Sequence, residues 1–137
     1  MKNKNQQCGD LGQHWTPVDV ASTMISLMKN SGTILEPSAG SGRFVELLNF
    51  KKLTALEIDE RVIPKHLMSK YIIDNFFNFP ETKKFNTIIG NPPYVAGKLL
   101  TSDWFNNWKG ILPRTANAYL HFIDKCINHL EQIKEIK

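Results

Sequence analysis

Two consecutive prolines, Pro92 and Pro93, stand directly behind the short apolar run Thr87-Ile88-Ile89-Gly90 and fix where that run must stop. Proline has no N–H to give a sheet ladder, so a strand built from these β-branched residues, bounded on its other side by Asn86, ends at Asn91. Asn91-Pro92-Pro93-Tyr94 therefore sits on a stiff turn at the carboxyl end of a buried strand, the edge where open α/β sheets bind ligands. The Asn91 amide oxygen can accept a hydrogen bond, and the Pro92 carbonyl can do the same because Pro93 has no N–H to occupy it. Tyr94 adds a flat face. Such a group suits a planar partner carrying an NH2; a proline-stiffened loop with no further role is the other reading of these four residues alone.

A strand followed by a tight turn recurs earlier in the chain. Thr33-Ile34-Leu35-Glu36 reads as a first strand, Pro37-Ser38-Ala39-Gly40-Ser41-Gly42 as a glycine-rich turn, and Phe44, Val45, Leu47 and Leu48 as the apolar positions of the helix behind it. Such a turn lets the backbone pass close to a ligand, and the helix start presents unpaired N–H groups. A dinucleotide fingerprint would place a third glycine near Val45, and a phosphate loop would place Gly-Lys-Ser/Thr where Gly42-Arg43-Phe44 stands. Neither is present, and the turn is either the cradle of some other nucleotide-like ligand or purely structural. Leu53 to Ile58 reads as a second strand. Its Glu57 falls roughly 20 residues beyond the turn, where a carboxylate can accept both hydroxyl protons of a ribose diol. Ile58 can pack on an adenine face; a surface glutamate at a strand end is the plainer alternative. Glu60 to His66 reads as a short helical crossover limited by Pro64, and Met68 to Ile73 as a third strand ending at Asp74.

Ahead of the first strand, Thr16 reads as an N-cap, Pro17 as the first helical residue, and Asp19 as the carboxylate that reaches back to the cap. Val20, Ala21, Met24, Leu27 and Met28 follow on one face, and Asn30-Ser31-Gly32 ends the helix. Behind Tyr94, Val95 to Arg114 has no clean period. It interleaves Trp104, Phe105 and Trp108 with Lys98, Lys109 and Arg114, a mixture that can stack on bases and neutralise phosphates or can form a lid packed on the core. Lys98, Trp104, Trp108 and Arg114 are the candidate nucleic-acid contacts. From Asn117 an amphipathic helix carries Tyr119, Phe122, Cys126, Leu130 and Ile133 on one stripe, with Ile123 and Ile127 widening it.

At 137 residues the chain is one domain, with residues 1–11 read as a flexible start. Lys and Arg number 17 against 13 Asp and Glu, a mild positive balance that admits a polyanionic partner without requiring one. Cys8 and Cys126 lie far apart in no ligand pattern, which suits free thiols in a reducing cytoplasm. No apolar stretch reaches membrane-spanning length, the polar start is no signal peptide, and the four histidines share no metal-ligand spacing. A cytoplasmic protein without a metal site is expected.

Asn-Pro-Pro-Tyr after an apolar strand resembles the catalytic motif of S-adenosylmethionine-dependent amino-group methyltransferases, above all the N6-adenine DNA methyltransferases of restriction-modification systems. Glu36-Pro37-x-x-Gly40-x-Gly42 is similar to their S-adenosylmethionine loop. Gln13-x-x-Thr16-Pro17 resembles the N-terminal cofactor motif of the group in which that segment comes first, where the Thr-Pro turn closes over the methionine part of the cofactor. The resemblance spans Gly12 to about Ile133 and implies an α/β, Rossmann-like class I methyltransferase sheet with helices on both faces, truncated after about four parallel strands. It implies that Thr16, Pro17, Glu36, Pro37, Gly40, Gly42, Glu57, Ile58, Asp74, Phe76 and Asn91 hold S-adenosylmethionine, with Asp74 on the adenine amino group and Phe76 or Asn75 over the ring. Asn91, Pro92 and Tyr94 would be catalytic: Asn91 and the Pro92 carbonyl grip the amine of a flipped adenine, and Tyr94 stacks on it. Transfer is then a direct in-line displacement with no covalent enzyme intermediate, and neither cysteine follows a proline as cytosine C5 methylation would require. A second polypeptide would supply the missing strands and a target-recognition domain, and the chain alone is expected to bind cofactor weakly and to leave DNA unmethylated. A methyltransferase acting on a protein glutamine amide shares the Asn-Pro-Pro-Tyr chemistry, and a catalytically silent assembly module is the non-enzymatic alternative.

Overall fold

A computed structural model describes residues 15–29, 32–48 and 52–132. The expected flexible start at 1–11, Cys8, Gln13, the Asn30-Ser31 helix end and Ile133 lie outside the described residues. The four strands are β1 (Ile34–Glu36), β2 (Leu53–Glu57), β3 (Tyr71–Ile73) and β4 (Thr87–Ile88). All pair in parallel, in the order β3-β2-β1-β4. Helix α1 (Val18–Ser26) precedes the sheet, α2 (Arg43–Leu47) follows β1, and α3 (Ser102–Phe105) and α4 (Ala118–Asn128) follow β4. Among the described residues no helix is long and apolar enough to cross a membrane. The expected four-stranded parallel α/β sheet is what forms.

Side chains alternate across a strand, and the core divides accordingly. Ile34 of β1 joins Ala21 of α1 and Phe44 and Leu48 beside α2 on one face. Leu35 and Leu56 point the other way into a ring-rich cluster with Phe76, Phe77, Phe85, Phe105 and Phe122. Helices therefore cover both faces, α1 and α2 on one and α3 and α4 on the other. The strand that delivers Asn91 pairs with β1 alone and stands at the sheet's edge among the described residues. Because the chain winds outward from β1 to β3 and then returns to the other side of β1, the order reverses between β1 and β4, where a crevice opens at the strands' carboxyl ends.

Several local expectations are corrected. Pro17, extended at φ −59° and ψ 150°, is itself the N-cap of α1, so Thr16 lies one residue too far back to cap and no side-chain cap bond forms. The packed face of α1 is Ala21, Met24, Ile25 and Met28, while Val20 and Leu27 face solvent, Leu27 at 71% exposure. The third strand begins only at Tyr71, because Pro64 starts a 3-10 turn over Lys65–Lys70 that takes up Met68. The largest correction is α4, whose buried positions are Ala118, His121, Phe122, Lys125 and, just beyond it, His129. Of the expected stripe Phe122 and Cys126 pack on the core, whereas Ile123, Ile127 and Leu130 are exposed, Ile127 at 62%. Partners across the gap explain this rotation of the face: Lys125 Nζ donates to the Phe79 carbonyl at 2.9 Å, and His129 Nδ1 sits 2.7 Å from the Lys83 carbonyl. The backbone of 79–83 turns its acceptors inward, and a helix face that can donate to them packs better than an apolar one.

The ring cluster is the part of the core least able to collapse around a void. Phe105, 1% exposed, is expected to lose about 3–5 kcal/mol of unfolding free energy as Phe105→Ala, whereas Leu27→Ala stays within about 0.5 kcal/mol. Urea unfolding followed by circular dichroism measures both, and comparable losses would contradict the assigned packing.

Candidate functional site

At the crevice between β1 and β4 lies a cavity of about 230 Å³. Its floor is the glycine-rich turn, whose backbone is tied down from within. Ser38 N–H donates to Glu36 Oε1 at 3.0 Å, and Gly40 N–H to Glu57 Oε2 at 2.8 Å. Ala39 N–H goes to the Leu56 carbonyl at 2.8 Å and Gly42 N–H to the Ala39 carbonyl at 3.0 Å. Gly40 adopts a positive φ of 55° beneath the Trp15 ring, and a Cβ there would come within 2.9 Å of that ring. Glu57 Oε1 also accepts from Asp59 N–H at 3.0 Å, so one carboxylate holds the end of β2 and the middle of the turn together.

Both glutamates are buried, Glu36 at 1% exposure. Loss of water pushes the Glu36 carboxyl up to about 8; the Ser38 N–H pulls against this and the neighbouring Glu57 adds to it. Burial likewise raises Glu57, outweighing the N–H groups of Asp59 and Gly40. With Asp74 and Asp103 also on the wall, the lining carries, among the described residues, four carboxyl groups against one guanidinium, that of Arg43. Apolar surface comes from Trp15, Phe44, Ile58, Phe76, Trp104 and Phe122. A cationic ligand suits this chamber better than a phosphate, because the N–H groups of Ser38, Ala39, Gly40 and Gly42 are already engaged and carboxyl groups line the wall.

Asn91 lines the same cavity, and its carbonyl accepts from Ser38 Oγ at 3.2 Å, which joins the strand-β4 turn to the glycine turn. Gly90 allows that approach, since a Cβ there would run into the Glu36 carboxylate. The Tyr94 hydroxyl donates to Asn91 Oδ1 at 2.7 Å, and its ring, 51% exposed, stands 5.9 Å from that of Tyr119. Pro93 reaches the cavity, whereas Pro92 and Tyr94, expected beside Asn91 as catalytic residues, are not in its wall. On the far side, Asp74 Oδ1 accepts from Asn75 N–H at 2.7 Å and Asn78 Nδ2 at 3.0 Å, and Asn75 Nδ2 donates to the Trp104 carbonyl at 3.0 Å.

The structure gathers Thr16, Glu36, Pro37, Gly40, Glu57, Ile58, Asp74, Phe76 and Asn91 around one space. Pro17 and Gly42 are not in its wall: Pro17 caps α1, and Gly42 lies buried at the start of α2 against Leu67 and Tyr71. Phe76 is mostly committed to the rings of Phe77, Phe122 and His129. Of the two readings for Val95 to Arg114, Trp104 and Trp108 adopt the packed lid. Trp108 Nε1 donates to Glu81 at 2.7 Å, its ring lies 5.2 Å from Phe77, and Trp104 joins the cavity wall. Arg114 sits 3.9 Å over the Phe105 ring and bonds the Trp108 carbonyl, while Lys98 is exposed. Asn75, the alternative to Phe76, is in the wall as well, and sequence reasoning missed Trp15, Ser38, Arg43, Asp103 and Phe122 as wall residues. Ser38 and Arg43 lie inside or beside the glycine turn and were within reach of the motif; Asp103 and Phe122 come from elements that carry no local signal.

Residues 20–135 match the family described as Eco57I restriction-modification methylase. The chain is 40% identical over 96 residues to the Type II methyltransferase M.HincII of Haemophilus influenzae, covering 66% of this chain and 18% of that protein. It is 25% identical over 127 residues to the Type II methyltransferase M.CvrRI of Paramecium bursaria Chlorella virus XZ-6E, covering 86% and 32%. The chain thus spans between about a fifth and a third of the length of these curated relatives. Among solved structures, the modification subunit of a putative type I restriction enzyme from Vibrio vulnificus YJ016 has the same fold, with a TM-score of 0.65, 17% identity, and 88% of this chain and 31% of that one covered.

Glu36 gives the site a pH signature. Its carboxyl titrates at 4.5 without the fold and at about 8 within it, so the folded chain holds a proton that the unfolded chain loses between those values. Stability from this group is full below pH 4.5 and drains away as pH rises through 8. Urea midpoints measured across this range are expected to fall for the wild type. Glu36→Gln, which cannot ionise, should flatten the decline, leaving the smaller slope due to Glu57; an unaltered slope would assign the titration to other groups.

Proposed function

This chain belongs to the Eco57I restriction-modification methylase family, and we propose that its cavity holds S-adenosylmethionine with the methyl group turned toward Asn91, for transfer to the N6 amine of an adenine in DNA. The observation that carries this reading is that the glycine turn after β1 and Asn91 after β4 open into one cavity and are joined through Ser38 Oγ and the Asn91 carbonyl at 3.2 Å. The wall suits the cofactor on three counts. Its carboxyl groups favour a cation, its engaged N–H groups disfavour phosphates, and its aromatic and aliphatic surface matches a nucleoside. Glu57 and Ile58 would face the ribose and adenine, Asp74 and Asn75 the adenine edge, and Thr16 the methionine end.

When bound, the cofactor supplies a methyl group on a sulfonium, already an excellent leaving group. The protein's work is to present the acceptor. An exocyclic amine on adenine is a weak nucleophile because its lone pair is delocalised into the ring. Asn91 Oδ1 and the Pro92 carbonyl, each accepting one N–H, would hold the nitrogen with its lone pair toward the methyl group and stabilise the charge that develops on it. The Tyr94 hydroxyl bond to Asn91 Oδ1 orients the amide, and the half-exposed Tyr94 ring offers the surface on which a flipped base stacks. Membership in a restriction-modification family favours DNA over a protein glutamine amide as substrate. Target recognition would come from further polypeptide, in the same chain or a partner.

Isothermal titration of the 137-residue chain is expected to show binding of S-adenosylmethionine and none of NAD, whose pyrophosphate meets an acidic wall and a turn that has spent four of its N–H groups internally. Tighter binding of NAD would overturn the reading. In a reaction reconstituted with the recognition part, label from the methyl group should appear at N6 of adenine in duplex DNA. Asn91→Ala should abolish this transfer while lowering cofactor affinity by no more than about tenfold, the loss of one wall contact.

A further inference from the structure

We propose that Arg43 is the specificity residue of this cavity, its guanidinium taking the carboxylate of the ligand's amino-acid end and so selecting an adenosyl sulfonium that bears a carboxylate over one that lacks it. The inference rests on the reading of the cavity as an S-adenosylmethionine site and deepens it.

Three groups radiate from the sulfonium: the methyl, the adenosyl and the aminocarboxypropyl chain. With the methyl toward Asn91 and the adenosyl toward the ends of β2 and β3, the third group is left the side of the cavity made by Trp15, Thr16 and Arg43. Its carboxylate then needs donors. The glycine turn, the usual source, has spent the N–H groups of Ser38, Ala39, Gly40 and Gly42 on Glu36, Leu56, Glu57 and Ala39. Among the described residues Arg43 is the one cation of the wall, which also carries Glu36, Glu57, Asp74 and Asp103. Its Nε donates to the Thr16 carbonyl at 3.2 Å, which fixes the plane of the guanidinium beside the cavity and leaves the two Nη groups as a fork of the kind that matches a carboxylate.

The charge inventory makes the inference unusually exposed to test. Decarboxylated S-adenosylmethionine is the more cationic ligand, so an acidic wall without a working Arg43 would prefer it. A preference for the carboxylated form runs against the acidic wall and is what a cation placed at the carboxylate supplies. The rival role for Arg43 is a strap that merely holds Thr16 in place, and it predicts equal effects on both ligands.

Calorimetric titration of the 137-residue chain with S-adenosylmethionine and with its decarboxylated analogue reads this out. The wild type is expected to favour the carboxylated ligand by at least about tenfold. Arg43→Gln should lower affinity for it by about 10- to 100-fold while changing the decarboxylated ligand less than about threefold, and Arg43→Lys should retain most of the preference. Equal losses for the two ligands, no loss for either, or a wild type that does not discriminate would each overturn the assignment; the last needs no variant and so stands even where Arg43→Gln fails to fold. A wild type that binds neither adenosyl ligand would instead refute the S-adenosylmethionine reading itself, and a thermal melt of each variant separates lost binding from lost fold.

Discussion

Two buried carboxylates hold the site together. Glu36 closes on Ser38 N–H at 3.0 Å and Glu57 on Gly40 N–H at 2.8 Å, so the turn between β1 and α2 is shaped by side chains from the ends of two adjacent strands. Parallel register brings them side by side: Glu36 is paired with Ala55, two residues before Glu57. Glycine turns after a first strand commonly leave their N–H groups to a ligand's phosphates. Here the N–H groups of Ser38 and Gly40 are satisfied from within, and the turn offers an anion fewer donors. The chemistry open to the cavity follows from that one substitution of internal carboxylate for external phosphate.

The opposite wall depends on a second knot. Glu81 accepts from Trp108 Nε1 at 2.7 Å and from Asn128 Nδ2 at 3.2 Å, with Lys125 Nζ at 3.5 Å. Lys125 in turn donates to the Phe79 carbonyl and lies 5.4 Å over the Phe76 ring. The segment after β3, the lid tryptophan and α4 are thereby fastened at one point, and Phe76 is held where its ring can serve both the core and the cavity. Desolvation lowers the Lys125 ammonium's proton affinity and the Glu81 contact opposes that, while Glu81 itself is lowered chiefly by the Trp108 N–H. A buried ammonium is tolerable only with such partners, and losing one would leave it uncompensated.

The sequence carried the sheet and the turn chemistry well, because both are written in local signals. Prolines 92 and 93 stop a strand wherever it lies, and Gly40 with Gly42 marks a tight passage from strand to helix. It misread α4 because periodicity counts apolar residues and is blind to donors. The stripe of Tyr119, Phe122 and Cys126 is offset by one position from the face through His121, Lys125 and His129, and only the inward carbonyls of Phe79 and Lys83 decide between them. Thr16 was misassigned for a related reason: a proline can start a helix or cap it, and the extended ψ of Pro17 settles that in favour of the cap. The cavity wall was legible where it is built from strand ends and illegible where α3 and α4 contribute, since Asp103 and Phe122 reach it only through the tertiary packing of a lid.

Glu36 also couples the two halves of the site. Its carboxylate lies so near Gly90 that no Cβ fits between them, and Gly90 is the residue before Asn91. Near neutral pH the carboxyl, raised to about 8, is predominantly protonated, with Glu57 adding to the effect and the Tyr71 phenol and the Cys126 thiol raised partly by its own charge. A cation entering the cavity favours the ionised form, and the ionised form binds the cation more tightly; linkage makes the two statements equivalent. Ionisation must also act on what touches the carboxylate, which includes the Ser38 N–H and the Gly90 backbone. The filling of the cavity and the placement of Asn91 are thus parts of one electrostatic equilibrium, joined through a side chain that contacts both turns.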